Sequence, residues 1–406
     1  MILGMTTSVP DIDDADLLDL TQQLVRLRTV NTGAGVVEQP AADLVAQLMT
    51  SYGWQVTISE VAPGRPNVVG VVHGRGPGRT LMFEGHTDVV TEGDPDGWSF
   101  DPYSGDVVDG KLLGRGSADM KAGVAAMIHA ARAVELGGFD GRIVVAALAD
   151  EEGMMLGAKH FADAYRAAGG LDGAPIDAVI VCEPEGGELC TVAKGAVRAR
   201  IDVHGVMAHG AMPHHGRNPL PAIGEILVGI GALEQELQEN PGPHPHLGLT
   251  SITPTVLDAG QPAQVNVIPA VASVYLDIRT IPGIDHAELI DVLTALAETV
   301  AAARDLTATL EVIDDRPVVD TAEDDPVVLA LRRAHEEVTG APPPFGGVPG
   351  TTDGTILTRD AGLVTVVYGP GGKWIAHQVD EFVEVDDLVA CARVYAATAR
   401  HFLAAS

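Results

Sequence analysis

The sequence predicts an α/β protein built on a mostly parallel sheet, with an inserted α+β layer of the ferredoxin-like type. Three observations predict it. Near-continuous apolar runs such as "GRIVVAAL" and "AVIVC" have the character of strands buried on both faces. These runs alternate with helical patterns, as right-handed βαβ crossovers require. Between about residues 195 and 313 the texture changes to half-polar strands and two helices, in the order of a split βαβ unit.

Along the chain, "DADLLDLTQQLVRLRTV" carries apolar residues at helical spacing, and "EQPAADLVAQLMTSYG" repeats the pattern and stops at Gly53. "WQVTISEV" alternates as a strand, "NVVGVVHG" reads as another, and the turn "RGPGR" leads into the strand "TLMFEGHTD". After an Asp- and Gly-rich loop, "GRGSADMKAGVAAMIHAARAVELGG" becomes an Ala-rich helix closed by Gly137 and Gly138. Buried strands follow in "GRIVVAALADEEG", "IDAVIVCEPE" and, much later, "GLVTVVYGP". In the insert, "AVRARIDVHG", "LTSITPTVL", "ASVYLDIRT" and "TATLEVI" read as strands, and "NPLPAIGEILVGIGALEQELQ" and "HAELIDVLTALAETVAAARD" as helices. The larger domain resumes with a helix at 326–338 and a strand at 363–368.

The length of 406 residues exceeds one ordinary core and predicts two or three domains. Composition is that of a folded globular chain, 46% hydrophobic. A net charge of −31 sets nucleic acid and anionic membrane surfaces aside as partners, since both would repel it. The three cysteines have neither metal-ligand spacing nor a disulfide framework. "MILGMTTSVPDIDD" lacks the basic n-region and long apolar stretch of a secretory signal. The longest uncharged run, Ala259 to Leu276, holds two prolines, two glutamines and an asparagine, unlike a membrane span. A cytoplasmic protein is expected.

Several apolar strands of the larger domain end in ionisable residues. "TLMFEG" runs into His86 and Asp88, "IVVAALA" into Asp150, Glu151 and Glu152, "AVIVC" into Glu183, and "LVTVVYGPGG" into a loop carrying His377. Ligands of open parallel sheets bind at the carboxyl ends of strands, so these residues are expected to meet in one cleft. Asp119, near the start of the Ala-rich helix, is a fifth contributor. Imidazoles and carboxylates with little thiol suit Zn, Mn or Co. Residues two apart on a strand share a face, so Asp88 is expected behind His86, fixing its tautomer. Taken singly, each has a plainer reading: Asp119 as a helix cap, the glutamate pair as a solvated turn, Glu183 as a strand exit. "GRGSADMKAG" and "GPGGK" lack P-loop spacing, and no G-x-S-x-G elbow is present.

In order, "GHTDVV", "GDPDGWSFDPYSGDVVDGKLLGRGSADMKAG", "ADEEG", "CEPE", "DVHGVMAHGAMPHHGRNPL", "VNVIPAVASVYLDIRTIPG", "GTTDG" and "GPGG…AHQVDE" resemble the motifs of the M20 metallopeptidases. Within that family the acetylornithine deacetylase and succinyl-diaminopimelate desuccinylase group is the branch resembled, over nearly the whole chain. The resemblance implies a zinc-peptidase-like catalytic domain at 1–194 and 314–406 and a lid and dimerisation domain at 195–313. It implies two divalent ions, zinc before Co or Mn. His86 and Glu183 would hold one, Glu152 and His377 the other, and Asp119 both.

It also makes Glu151 the general base toward a water shared by the ions, with Asp88 the partner of His86. His209 matches an oxyanion donor contributed by the partner subunit's lid, while Arg279 and Asn266 match lid positions that hold substrate. The implied activity is metal-dependent cleavage of the amide in a small, carboxylate-bearing N-acyl amino acid by a homodimer. A dipeptidase or carboxypeptidase of the same fold is the alternative, and a non-catalytic binding protein a remote one. Thr355 after "GTTDG", where many desuccinylase-like members have Arg, and Thr91 after Val90, where relatives often have Pro, depart from the pattern.

Overall fold

The computed structural model describes residues 11–32 and 37–404. Residues 1–10, most of the segment read for a secretory signal, lie outside that range. Two compact units divide the described chain. One runs to Val192 and takes up again with Thr321–Val348 and from Thr352 onward; the other holds Ala193–Asp320 and Pro349–Thr351.

The centre of the first unit's sheet is parallel. Strand Thr80–His86 pairs on one side with Arg142–Leu148, His86 opposite Leu148, and on the other with Ala178–Val181. Ala178–Val181 in turn pairs in parallel with Thr365–Val367. Arg65–His73 and Gln55–Ala62 add an antiparallel edge beyond Arg142–Leu148. Because the central four strands run in one direction, their carboxyl ends open along one rim, which carries His86 and the turns after Leu148 and Val181.

The alternation of the strands assigns their faces. Leu81, Phe83, Ile143, Val145, Ile180 and Val366 join one apolar cluster with residues of helices Asp14–Arg26, Gln39–Ser51, Ala122–Gly137, Pro326–Thr339 and Val385–Ala404. Each such fully buried side chain contributes about 1.5–3 kcal/mol. Two of these helices start where a side chain satisfies free amides: Asp13 accepts the N–H of Ala15 and Asp16, and Asp325 that of Val327.

Three helices carry no signal in the sequence reading. Leu156–Ala168 starts after Met155, held at φ 53° with no side-chain cap, and Asp353–Ala361 spans only nine residues inside what reads as a motif loop. Val385–Ala404 follows directly on the short strand Phe382–Glu384, with no loop to mark its start.

The second unit is a four-stranded antiparallel sheet in the order Ser251–Ala259, Val271–Thr280, Gly195–His204, Thr307–Arg316. Helices Leu220–Glu239 and His286–Ala302 follow the first and third of these strands in the chain, giving βαββαβ. Ile223, Ile226, Ile230, Leu289 and Leu293 close its core with Val197, Ile201, Val274 and Ile278. The last strand does not end at Ile313 as its alternation implied. It has an irregularity between Val312 and Asp314 and runs on to Arg316, opposite Ala196, with Asp314 bound to Arg198 and Arg316. None of the described helices is long and apolar enough to cross a membrane.

Candidate metal centre

His86 closes strand Thr80–His86 with its ring 1% exposed. Its Nδ1 lies 2.9 Å from the main-chain carbonyl of Asp88, whereas the Asp88 carboxylate is 3.5 Å away. The tautomer is therefore set by backbone rather than by the carboxylate that the strand spacing implied, and Nε2 is left facing the cleft. That atom is 3.0 Å from Asp119 Oδ1 and 3.6 Å from Glu183 Oε1.

Asp119 precedes the Ala-rich helix, which begins at Ala122, and its backbone is extended (φ −117°, ψ 96°) rather than helical. Its second oxygen lies 3.2 Å from His377 Nε2, and that nitrogen is 3.0 Å from Glu152 Oε1. Asp119 thus stands with one oxygen toward each imidazole. Glu381 holds it there by accepting the N–H groups of Ala118 and Asp119 at 3.0 and 3.1 Å. Arg115 pairs with the other Glu381 oxygen and donates to the His377 carbonyl at 3.4 Å. His377 itself sits at φ 66°, a left-handed conformation that costs a non-glycine residue energy and persists where its surroundings hold it.

Glu151 and Glu152 lie on a turn wound around Asp150, also at positive φ (69°). The Asp150 carboxylate accepts the N–H of Met154 and Leu156 and receives Asn31 at 2.9 Å and Arg65 at 2.7 Å. Arg65, itself buried, grips Glu38 through Nε and Nη2. The Asp88 carboxylate accepts the N–H of Glu151 at 3.1 Å and of Glu152 at 3.2 Å, and Asn31 joins it to Asp150. Sequence reasoning did not reach Asn31, Glu38, Arg65, Arg115 or Glu381. Of these, Arg115 and Glu381 fall inside family-like motifs, "GRGSADMKAG" and "AHQVDE", but neither carries a spacing that marks it.

Ligand atoms of His86, Glu151 and Glu183 fall within 4.8 Å of one another, as do those of His86, Asp119 and Glu152. Burial pushes the Glu151, Glu152 and Glu183 carboxyls above their usual range, and neighbouring carboxylates push the same way. Burial would likewise raise Asp119, but its hydrogen bonds to His377 and His86 outweigh that and hold it low. Burial would lower His86, yet Glu183, Asp119 and Asp88 together lift it well above an ordinary imidazole. Hydrogen bonds to Asp119 and Glu152 raise His377 to about 10. So much negative charge out of water needs positive charge beside it, and nitrogen and oxygen donors in this number fit two divalent cations. Glu84 lies one alternation before His86, with burial and Asp353 of "GTTDG" raising its carboxyl.

The three remaining predicted residues lie in the second unit. His209 is exposed on the short strand Ala208–His209, paired with Val267 beside Asn266, whose carbonyl accepts the Gly210 N–H. The Ala211 N–H donates to His209 Nδ1 at 3.0 Å. Arg279, opposite Ser251 and Ala196, is held by Asp277 through Nε and Nη2 at 2.6 and 3.1 Å.

Residues 82–401 match the model of Peptidase family M20/M25/M40. The chain is 31% identical over 407 residues to the succinyl-diaminopimelate desuccinylase of Phenylobacterium zucineum, covering 95% of this chain and 98% of that one. Among solved structures, aminopeptidase PepT of Bacillus cereus superposes with a TM-score of 0.77 at 20% identity, over 96% of this chain and 99% of the other. The Bacillus subtilis YXEP protein, a dinuclear metal-binding peptidase of the M20 family, does so with a TM-score of 0.69 at 16% identity, over 96% and 98%.

Proposed function

The chain belongs to peptidase family M20/M25/M40 and is a metal-dependent amide-bond hydrolase, and from that premise we propose that it deacylates a small N-acyl amino acid. The observation that carries this reading is Asp119, with one oxygen toward His86 and the other toward His377. We assign His86 and Glu183 to one divalent ion, Glu152 and His377 to the second, and Asp119 to both. Zinc is the proposed ion, on the nitrogen and oxygen donor set, with Co and Mn as the other candidates. Two such ions supply Lewis acidity toward a scissile carbonyl and acidify a water.

The chain's own groups account for the proton movements. Glu151 is 8% exposed and its carboxyl pKa is raised, which suits a group that takes a proton from the attacking water and gives it to the departing amine. The Ala211 N–H bond to His209 Nδ1 leaves the neutral ring's proton on Nε2, free to donate to a developing oxyanion. In this reading His209 serves the site of a partner subunit in a homodimer formed through the inserted unit. Arg279, its plane fixed by Asp277, grips the substrate carboxylate, with Asn266 beside it.

Thr355 is fully buried and donates to the Thr352 carbonyl, so that position offers no cation to a second substrate carboxylate. That favours a short uncharged acyl group over a dicarboxylic one. The acidic composition and three buried free cysteines accord with the cytoplasm. Hydrolysis across N-acetyl and N-succinyl amino acids and unblocked dipeptides tests the reading. Turnover is expected on the acylated amino acids, and turnover of dipeptides alone would replace deacylase with dipeptidase.

A further inference from the structure

Outside the centre just described, one group of potential metal donors stands together among the described residues: Glu185, Glu188 and Cys190. Its positive charge comes from within the chain. Lys373 Nζ lies 2.6 Å from Glu185 Oε2, 2.8 Å from Glu188 Oε2 and 3.4 Å from the Gly347 carbonyl, and its side chain is only 13% exposed. Cys190 Sγ adds a contact to Glu185 at 3.3 Å. Burial alone would lower the Lys373 pKa, but the two glutamates outweigh it and keep the ammonium charged.

The position of this lysine in the chain is what gives it reach. Glu185 is two residues past Glu183, and Lys373 is four residues before His377. The two loops already run against each other: the Gly186 N–H donates to the Gly371 carbonyl at 2.8 Å. At Gly369 a side chain is impossible without movement, because a Cβ there would stand 2.4 Å from the Cys182 and Glu183 carbonyls. Backbone contact therefore fixes the near end of the His377 loop. Beyond Gly371 the loop must still reach His377 at its strained φ of 66°, and Lys373 is the anchor along that path.

We propose that Lys373 is a positioning residue that sets the placement of His377 relative to Glu183, and with it the affinity of the centre for metal, by tying the His377 loop to Glu185 and Glu188. The inference rests on the assignment of Glu183 and His377 as ligands. Outer partners that orient metal ligands typically govern affinity by about 10- to 100-fold.

The test is calorimetric titration of zinc into metal-stripped full-length protein, with Lys373→Met, Lys373→Arg, the neutral pair Lys373→Met with Glu185→Gln, and His377→Ala. Lys373→Met leaves Glu185 buried without its cation and lowers stability. The double variant removes that penalty, so a loss of affinity in it is a positioning effect. The expected result is two ions on the wild type, one on His377→Ala, an affinity for one ion weakened about 10- to 100-fold in both variants carrying Lys373→Met, and recovery in Lys373→Arg. Unchanged zinc affinities in the double variant, with His377→Ala still losing an ion, overturn the clamp and leave the ligand assignment standing. Two ions retained by His377→Ala overturn that assignment and the clamp with it.

Discussion

The carboxylate of Asp88 accepts the backbone N–H of Glu151 at 3.1 Å. It is the tie between the strand that ends at His86 and the turn that presents the proposed base. Through its other oxygen Asp88 also takes the Glu152 N–H and Asn31, so a single fully buried side chain orders both glutamates. Replacing Asp88 with Ala leaves two amide donors without this partner. It should cost about 1–3 kcal/mol of stability for each amide left unsatisfied and lower kcat more than KM. Urea unfolding and steady-state kinetics measure the two effects, and unaltered kcat would remove Asp88 from the machinery.

Changing Glu151 to Gln keeps the side chain's size and removes its capacity to carry a proton. Turnover should fall about 10²- to 10⁴-fold, the usual range for a lost general base, while metal content stays near wild type. Elemental analysis alongside kinetics separates the two readings of Glu151. Loss of an ion in this variant would make Glu151 a ligand, in keeping with its place in the same donor group as His86 and Glu183.

His209→Ala should reduce kcat by about 10²- to 10³-fold, as removal of an oxyanion donor does, without changing the melting temperature, because the ring is exposed and supports only a local turn. Mixing this variant with Glu151→Gln under subunit exchange should restore activity that neither shows alone. No recovery in verified mixed dimers would place His209 outside the partner's site.

The His377 ring provides a test by pH. Its pKa is raised to about 10 from 6.5, so in the metal-free protein its pairs with Asp119 and Glu152 stabilise fully below about pH 6.5. That contribution disappears as pH climbs through about 10. With the side chain 53% exposed, solvent screening keeps it modest. The stability difference between metal-free wild type and His377→Asn should therefore shrink between pH 6.5 and 10. A difference that stays constant or grows across that window contradicts the pairing.

The sequence exposes the rim more readily than what supports it. His86, Glu152 and Glu183 are legible because apolar strands break off into ionisable residues, and a parallel sheet sends such ends to one side. Asp119, before the Ala-rich helix, and His377, on the loop after "LVTVVYGPGG", are legible as candidates by position, and the resemblance supplied their roles as ligands. Pairs such as Arg65 with Glu38, or Asp150 with Arg65, join segments tens of residues apart and leave no spacing signal. Asp88 shows the limit of strand periodicity. The spacing places it beside His86, but the bond to the ring comes from its carbonyl while its carboxylate serves the next turn. The helix Leu156–Ala168 was hidden because it starts from a left-handed Met155 rather than a capping side chain.

The central claim is an amide hydrolase whose two ions are held by His86, Asp119, Glu152, Glu183 and His377. Metal analysis coupled to hydrolysis of an N-acyl amino acid, before chelation, after it and after zinc is returned, tests this most directly. The account predicts two ions per chain, activity lost with them, and activity regained on reloading. Hydrolysis that survives complete chelation would contradict it.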